Sequence, residues 1–358
     1  MPDAEREADS SLNLREKFAG LLIGTAIGDS LGLPAEGLSR SRIERLWPGE
    51  WRHRFLFRKG MISDDTEQTL FLAQALLACS NEPAAFARSL AWKVRWWLLG
   101  APAGVGFATA RATLKLWIGF PPSRSGVNSA GNGAAMRVAI IGAVFANAPP
   151  KLEAFVRAST QLTHTDARAL TGALAVALAA AWSIRQREGG GREALLESLR
   201  TISDDADWQA ALAKLNTALK QNWSVAEFAA GLGCANRVSG YVFHTVPVAL
   251  FAWLRHWGDF RATITSAIRC GGDTDTVAAI SGALAGCTVG KAGIPADWLA
   301  GMKDWPRSIS VLEEVAARLA GEAPREPVRY PWPLVIPRNV LFLLVVLFHA
   351  FRRVLPPY

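Results

Sequence analysis

Glycines at positions 20, 24, 28 and 32 recur every four residues inside the otherwise apolar stretch Leu12 to Leu33. That spacing puts all four on one stripe of a helix. A stripe without side chains lets a second backbone approach closely, and tight helix packing is the simplest consequence. Asp29 lies in the same stretch, and a carboxylate inside an apolar helix requires a partner.

The rest of the chain continues the helical pattern. Met61 to Ser80 is predicted helical, with Asp64 and Glu67 at the spacing of a capping box. Ala84 to Leu99 holds Trp92, Trp96 and Trp97 among apolar neighbours, and these tryptophans are expected in the core rather than on a ligand platform. A Gly-, Pro- and Ser-rich segment, Gly119 to Gly133, leads into an apolar helix expected over Met136 to Ala146. A loop of that length within a compact domain is more often functional than idle. Ala167 to Trp182 reads as an alanine-rich helix too short to cross a bilayer, and Gln186 to Gly191 breaks its pattern. Two amphipathic helices follow between Glu193 and Lys220, then an apolar helix over Val246 to Trp257. The turn at Gly271 starts another, with small residues at Ala278, Gly282 and Gly286. No stretch sustains period-two alternation, so the predicted fold is all-α, a compact multi-helix bundle.

At 358 residues the chain is longer than most single domains, yet nothing in its middle reads as a linker. One helical domain is expected over 12–322, with a flexible N-terminus at 1–11 and a Pro-rich, apolar C-terminal tail at 323–358. The first 17 residues are charged and lack both an apolar run and a cleavage site, so a cytoplasmic location is expected. Cys79, Cys234, Cys270 and Cys287 have no CxxC spacing, which fits reduced, packed thiols rather than zinc ligands. A formal charge of +8 favours an anionic partner. The Lys and Arg residues are dispersed, so nucleic acid is neither indicated nor excluded, and a phosphate-bearing small ligand satisfies the same bias. In the tail, the twelve residues from Val340 to Phe351 are apolar except His349, and Arg352 and Arg353 follow. Twelve residues cannot span a bilayer as a helix, so no transmembrane segment is expected. Docking or dimerisation is the preferred reading of this run, with weak membrane contact behind it.

Three acidic sites stand out: Asp29 with Glu36 in GDSLGLPAE, Ser63-Asp64-Asp65-Thr66 in ISDDTEQ, and Asp273-Thr274-Asp275-Thr276 in GGDTDT. Clustered carboxylates repel unless a cation neutralises them. Oxygen ligands without His or Cys select Mg²⁺, Mn²⁺ or Ca²⁺ over zinc. Taken singly, Asp64 and Asp273 also fit helix N-caps. A single cap needs no set of three acceptors, however, and GGDTDT puts two carboxylates and a hydroxyl in one turn. By contrast, the equally acidic Ser203 to Asp207 lies between polar helices and reads as a solvated loop and cap.

Two further segments bear on ligand binding. In Ser129 to Arg137, glycines 131 and 133 flank Asn132 ahead of a helix. Backbone N–H groups there would suit an anion, and a tight turn with a good helix start fits equally well. His164 in LTHTD is placed to hydrogen-bond a ligand ribose, to act near a leaving group, or as a structural histidine. Neither a P-loop nor GxGxxG is present, and His53, His244, His256 and His349 share no catalytic spacing.

Taken in order, GLLIGTAIGDSLGLPAEG, ISDDTEQTL, SAGNGAAMR, LTHTDARA, SGYVFHTVP and GGDTDTVAAISGALAG resemble the ADP-ribosylglycohydrolase family over roughly residues 14 to 290. The resemblance implies an all-α fold with two Mg²⁺ or Mn²⁺ ions that cleaves ADP-ribose from an acceptor, an ADP-ribosylated protein or small conjugate. By position it implies Ser63, Asp64, Asp65, Asp273, Asp275 and Thr276 as metal ligands. Glu36 and Asp65 become the candidate catalytic bases, with Glu36 ranked first because it belongs to neither paired cluster. Ser129, Gly131, Asn132, Gly133 and His164 fall in segments implied to line the ADP-ribose pocket. Two alternatives stay open: a module that binds ADP-ribose or a nucleotide without turnover, and a binuclear metal hydrolase of another N- or O-glycoside.

Overall fold

The computed structural model describes the backbone of residues 2–185 and 191–355, with side chains from residue 14 onward. Side chains of the expected flexible segment 1–11, and the pattern break at 186–190, lie outside the described residues. Eighteen α-helices are present among the described residues: α1 (Pro2–Gly32), α2 (Arg40–Leu46), α3 (Asp64–Ala78), α4 (Pro83–Leu99), α5 (Phe107–Trp117), α6 (Pro122–Ser125), α7 (Ala139–Val144), α8 (Pro149–Gln161), α9 (Ala167–Arg185), α10 (Arg192–Arg200), α11 (Ala206–Lys220), α12 (Val225–Gly231), α13 (Val242–Arg255), α14 (Phe260–Ile268), α15 (Thr274–Val289), α16 (Ala296–Gly301), α17 (Ile309–Leu319) and α18 (Val335–Arg352). Isolated bridges, but no strands, accompany them in the described residues. The all-α expectation is met.

The glycine stripe of α1 organises the molecule. A side chain added at Gly20, Gly24, Gly28 or Gly32 would overlap the carbonyl oxygen of Gly286, Gly282, Ala278 or Thr274 in turn. Each step of four along α1 is matched by a step of four backwards along α15, so the two helices run antiparallel with their backbones in contact. The second small-residue stripe, on α15, is what makes this approach possible. α1 is thereby central, and its apolar stretch is entirely buried. α3, α7 and α17 pack around this pair.

Antiparallel register has a chemical consequence. The C-terminal end of α1, carrying Asp29 and followed by Glu36, is brought beside the N-terminal end of α15, which carries Asp275 and Thr276. Two motifs more than two hundred residues apart in sequence meet for this reason.

Several expectations change. Asp64 and Glu67 do not form a capping box. The N-cap of α3 is Ser63, without a side-chain cap bond of its own, and Glu67 is buried against Arg307 and the Trp97 indole N–H instead. The apolar helix expected over Met136 to Ala146 is confined to Ala139–Val144. Of the three α4 tryptophans only Trp97 is buried; Trp92 and Trp96 face solvent because the helix packs through its opposite face. The cysteines are free thiols, as expected.

The C-terminal tail also differs from expectation. Its apolar stretch is not limited to twelve residues: Trp332–Arg352 forms a 21-residue stretch long and apolar enough to cross a membrane, as are Leu14–Ala35 and Ala167–Arg185. Helical hydrogen bonding carries through Pro337, Arg338 and Asn339, which the linear reading placed outside the run. Burial separates the three: of the most apolar eighteen residues in each, 100% are buried within Leu14–Ala35, 67% within Ala167–Arg185 and only 28% within Trp332–Arg352. On its inner side α18 docks on the body: Arg338 pairs with Asp304 at 2.6 Å, and Asn339 donates to the Gly100 carbonyl at 2.7 Å. Asp304 in turn accepts the Ile62 amide at 2.9 Å, so the tail helps hold the segment that leads into Ser63, Asp64 and Asp65.

Candidate active site

Asp29 is the hub of the acidic region. Its Oδ2 accepts the backbone N–H of Ser63 at 2.8 Å, the N–H of Thr66 at 3.2 Å and the Thr66 hydroxyl. A carboxylate from α1 thus supplies the cap that α3 lacks, satisfying orphan donors of its first turn. This is the partner the sequence demanded for Asp29, although not its identity. Burial raises the Asp29 pKa to about 6 against the lowering effect of these hydrogen bonds.

Capping α3 in this way turns Ser63, Asp64 and Asp65 toward α15. Asp65 Oδ2 accepts from the Ser63 hydroxyl and from the Thr276 hydroxyl, at 3.4 Å each, joining ISDDTEQ to GGDTDT in space. Asp64 Oδ2 accepts from Gln68 Nε2 at 3.1 Å. Asp64, Asp65 and Asp275 all have pKa values raised well above the usual carboxylate range, first by burial and then by one another and their acidic neighbours. Glu36 is exposed on the rim, but neighbouring groups crowd it closely enough that desolvation is the first cause of its raised pKa. The charge of Asp273 is the second cause, and Arg353 opposes it.

Asp273 occupies the N-cap position of α15 without making a side-chain cap bond. Its Oδ2 accepts from Asn132 Nδ2 at 2.6 Å, and the same Nδ2 donates to the Thr245 hydroxyl at 3.0 Å. Asn132 therefore ties the Gly-rich loop to the acidic region. The loop is itself pinned: Gly131 N–H donates to the Ser129 hydroxyl at 3.2 Å, Asn132 N–H to the Gly240 carbonyl at 3.0 Å, and Val242 N–H to the Ala130 carbonyl at 2.9 Å. Of the two readings of this segment, these bonds favour a tight turn, since two of the N–H groups an anion would need are already satisfied.

His164 lies under that loop. A side chain at Gly133 would come within 3.2 Å of its ring, and one at Gly131 within 3.5 Å of its Nε2. Burial, with the charge of Arg137 next, holds its pKa down to about 3, so the imidazole is neutral. Arg137, fully buried, was not singled out from the sequence. It donates to Gln68 Oε1 at 2.6 Å and to the Thr163 hydroxyl at 2.8 Å, and that hydroxyl lies 2.8 Å from His164 Nδ1. Because Arg137 can only donate, the Thr163 hydroxyl is left to donate to Nδ1, which places the imidazole proton on Nε2, toward the loop. The signal for Arg137 was its place at the end of GNGAAMR, where a buried guanidinium needs acceptors.

The structure thus gathers Glu36, Ser63, Asp64, Asp65, Asp273, Asp275, Thr276 and Asn132, with Ser129, Gly131, Gly133 and His164 in the adjoining wall. It leaves Ser203 to Asp207 elsewhere, where Asp205 caps α11, as expected of a solvated loop. Among the described residues no three His, Cys, Asp or Glu side chains already stand around one point as an ion would require. Three buried carboxylate oxygens, Oδ1 of Asp29, Asp65 and Asp275, nevertheless have no hydrogen-bond partner. Unpaired buried acceptors of this kind are costly, and a divalent cation is the partner their chemistry fits.

Comparison with known proteins identifies the family. The sequence model described as ADP-ribosylglycohydrolase matches residues 10–328. An uncharacterized protein of Archaeoglobus fulgidus is 36% identical over 314 residues, spanning 86% of this chain and 96% of its own. ADP-ribosylhydrolase ARH3 of Gallus gallus is 27% identical, over 79% of this chain and 88% of that protein. ADP-ribosyl-[dinitrogen reductase] glycohydrolase of Rhodospirillum rubrum is 25% identical, over 80% and 90%. A solved structure of an ADP-ribosylglycohydrolase-related protein complex superposes with a TM-score of 0.62 at 28% identity, covering 86% of this chain and 97% of that one. With the family match spanning nearly the whole chain and the helical fold shared, this protein belongs to the ADP-ribosylglycohydrolase family of hydrolases.

Proposed function

We propose that the chain hydrolyses the glycosidic bond between ADP-ribose and an acceptor, an ADP-ribosylated protein or a small conjugate, and that it does so with two divalent cations, Mg²⁺ or Mn²⁺. The observation that carries the reading is the set of three partnerless carboxylate oxygens on Asp29, Asp65 and Asp275 inside a cluster of mutually repelling acids. Ser63, Asp64, Asp65, Asp273, Asp275 and Thr276 are the residues that would hold the ions. Bound there, the cations would neutralise the cluster and supply Lewis acidity to the ribose and to the attacking water.

The protein's own groups divide the remaining work. Glu36 would take the proton of the water that attacks the anomeric carbon, a role its exposure and raised pKa support. As the new C–O bond forms, the bond to the acceptor breaks and the acceptor leaves with a proton. Asp65 is the alternative base, but its Oδ2 already receives two hydroxyl groups. Asn132 orients Asp273, and the neutral His164 presents its Nε2 proton beside the loop, suited to a ribose or phosphate oxygen.

The test is release of ADP-ribose from ADP-ribosylated arginine, serine and nucleic-acid substrates with Mg²⁺, Mn²⁺ or chelator present. Metal-dependent release from at least one is expected, together with its loss in Asp273→Ala and Asp275→Ala proteins that remain folded. No metal-dependent release from any substrate, with tight ADP-ribose binding intact, would point to a binding module instead.

A further inference from the structure

We propose that the outer face of α18, with the tryptophans of α4 and α5 beside it, docks the protein on the surface of an anionic lipid bilayer without crossing it. Val340, Leu343, Leu344, Leu347, Phe348 and Phe351 recur at helical spacing and are all exposed on this face. An exposed apolar stripe of this length marks an interaction site on a globular protein.

The stripe continues onto neighbouring elements. Trp92, Trp96 and Trp332 line one cleft of about 620 Å³ at the N-terminal end of α18, and the Trp96 and Trp117 rings are 5.6 Å apart. All four tryptophans are exposed. Exposed Trp beside an aliphatic helix face is the composition of the membrane–water interface, where the ring is half apolar and half polar. At the other end, the 56–59 turn stands next to α18, because Leu56 packs with Phe55 and Phe342 and because His349 donates to the Phe55 carbonyl. That turn exposes Phe57, Arg58 and Lys59, with both Phe57 and Arg58 at positive φ.

Charge selects the occupant. The three segments that build this face, residues 51–62, 83–120 and 327–358, hold thirteen Lys and Arg and no Asp or Glu; with Arg338 and Arg353 turned to the inner side and Arg88 paired with Glu82, ten remain for this face. The whole chain is only +8, so the remainder is net acidic and the basic excess is concentrated here. Basic residues flanking an apolar face complement anionic headgroups. They would repel one another across a symmetric contact between two copies of this chain.

The helix lies along the protein rather than across a membrane. Its inner side is fastened along its length: Arg338 to Asp304, Asn339 to the Gly100 carbonyl, His349 to the Phe55 carbonyl, and Arg353 to the Pro34 and Glu36 carbonyls at 2.9 and 2.8 Å. A span would have to break every one of these and place Arg338 in hydrocarbon.

Co-sedimentation of the full chain with vesicles tests the proposal independently of any hydrolase activity. Vesicles of equimolar phosphatidylcholine and phosphatidylglycerol are expected to bind roughly tenfold more tightly than phosphatidylcholine alone, with the difference shrinking at high salt. Leu344→Glu with Leu347→Glu should lower binding to the anionic vesicles at least roughly tenfold with an unchanged melting temperature, because both residues face outward. Arg58→Glu with Lys59→Glu should weaken anionic binding and leave neutral binding as it was. The proposal is overturned if the full chain stays in the supernatant with both vesicles, if it binds them equally, or if light scattering finds a dimer that L344E/L347E dissolves while vesicles bind neither form.

Discussion

Asp29 on α1 accepts the backbone N–H of Ser63 at 2.8 Å and thereby caps a helix that begins 35 residues later in the chain. One buried carboxylate thus sets where α3 starts and which way the Asp64–Asp65 pair points. Asp29→Ala should cost roughly 2–4 kcal/mol in urea unfolding, since it strands three donors at one helix end. Asp29→Asn keeps an acceptor in place while removing charge. It should melt close to the parent in chelator and lose most of the parent's gain in melting temperature on adding Mg²⁺ or Mn²⁺. Equal gains in the two proteins would remove Asp29 from the electrostatics of the site.

Gly28→Ala places a methyl group onto the Ala278 carbonyl. Backbone cannot yield there as a flexible side chain would, so α1 and α15 must separate. A loss of roughly 3 kcal/mol or more is expected, above the usual overpacking cost. Activity should fall even in the fraction that stays folded, because the same contact sets Asp275 and Thr276 against Asp65. An unfolding midpoint equal to the parent's would contradict the close-packed register.

Asn132→Ala removes the amide that holds Asp273 Oδ2 at 2.6 Å. Groups that orient a metal ligand typically matter by roughly 10–100-fold in metal affinity. The expected outcome is a loss of about that size in the apparent affinity for Mn²⁺, read by titration of activity or of melting temperature, with little change in stability in chelator. An unaltered Mn²⁺ titration would leave Asn132 a loop residue only.

Stability against pH separates the acids from the histidine. In chelator, the folded protein holds a proton on Asp29 up to about pH 6, whereas an unfolded chain releases it near 3.8. The folded state therefore binds more protons in that window, and stability falls as pH rises through it, by up to about 1.4 kcal/mol per pH unit. Asp64, Asp65 and Asp275 shift in the same direction and carry the fall to higher pH. His164 acts oppositely: with its pKa at about 3 in the fold and 6.5 unfolded, it makes stability rise with pH between those values and contributes nothing further above them. Above pH 6.5 the carboxylates alone remain, and a cation that pairs with them should raise the melting temperature more at pH 8 than at pH 5.5. Scanning calorimetry with and without MnCl₂ decides this; a gain that does not depend on pH would mean the ions bind elsewhere.

The sequence alone determined what depends on local spacing. Four glycines in step prescribed a close helix contact, the lack of period-two alternation prescribed an all-helical chain, and the acidic motifs marked the carboxylates that meet between α1, α3 and α15. Asp205 as a solvated cap was equally legible, because its partners are two and three residues away. Partners distant in the chain were not. The spacing of Asp64 and Glu67 suggested a capping box, but a buried Arg307 some 240 residues on outcompetes the backbone for Glu67. Trp92 and Trp96 carried the pattern of core residues, yet which face of α4 turns inward depends on what packs against it. Only tertiary structure decided that Asp29 caps α3, that Asn132 holds Asp273, and that α18 is fastened on one side and open on the other. In each case the deciding term is the burial of a polar or apolar group against another element, 34 residues away for Asp29 and Ser63 and 141 for Asn132 and Asp273, and no local window of sequence contains that neighbour.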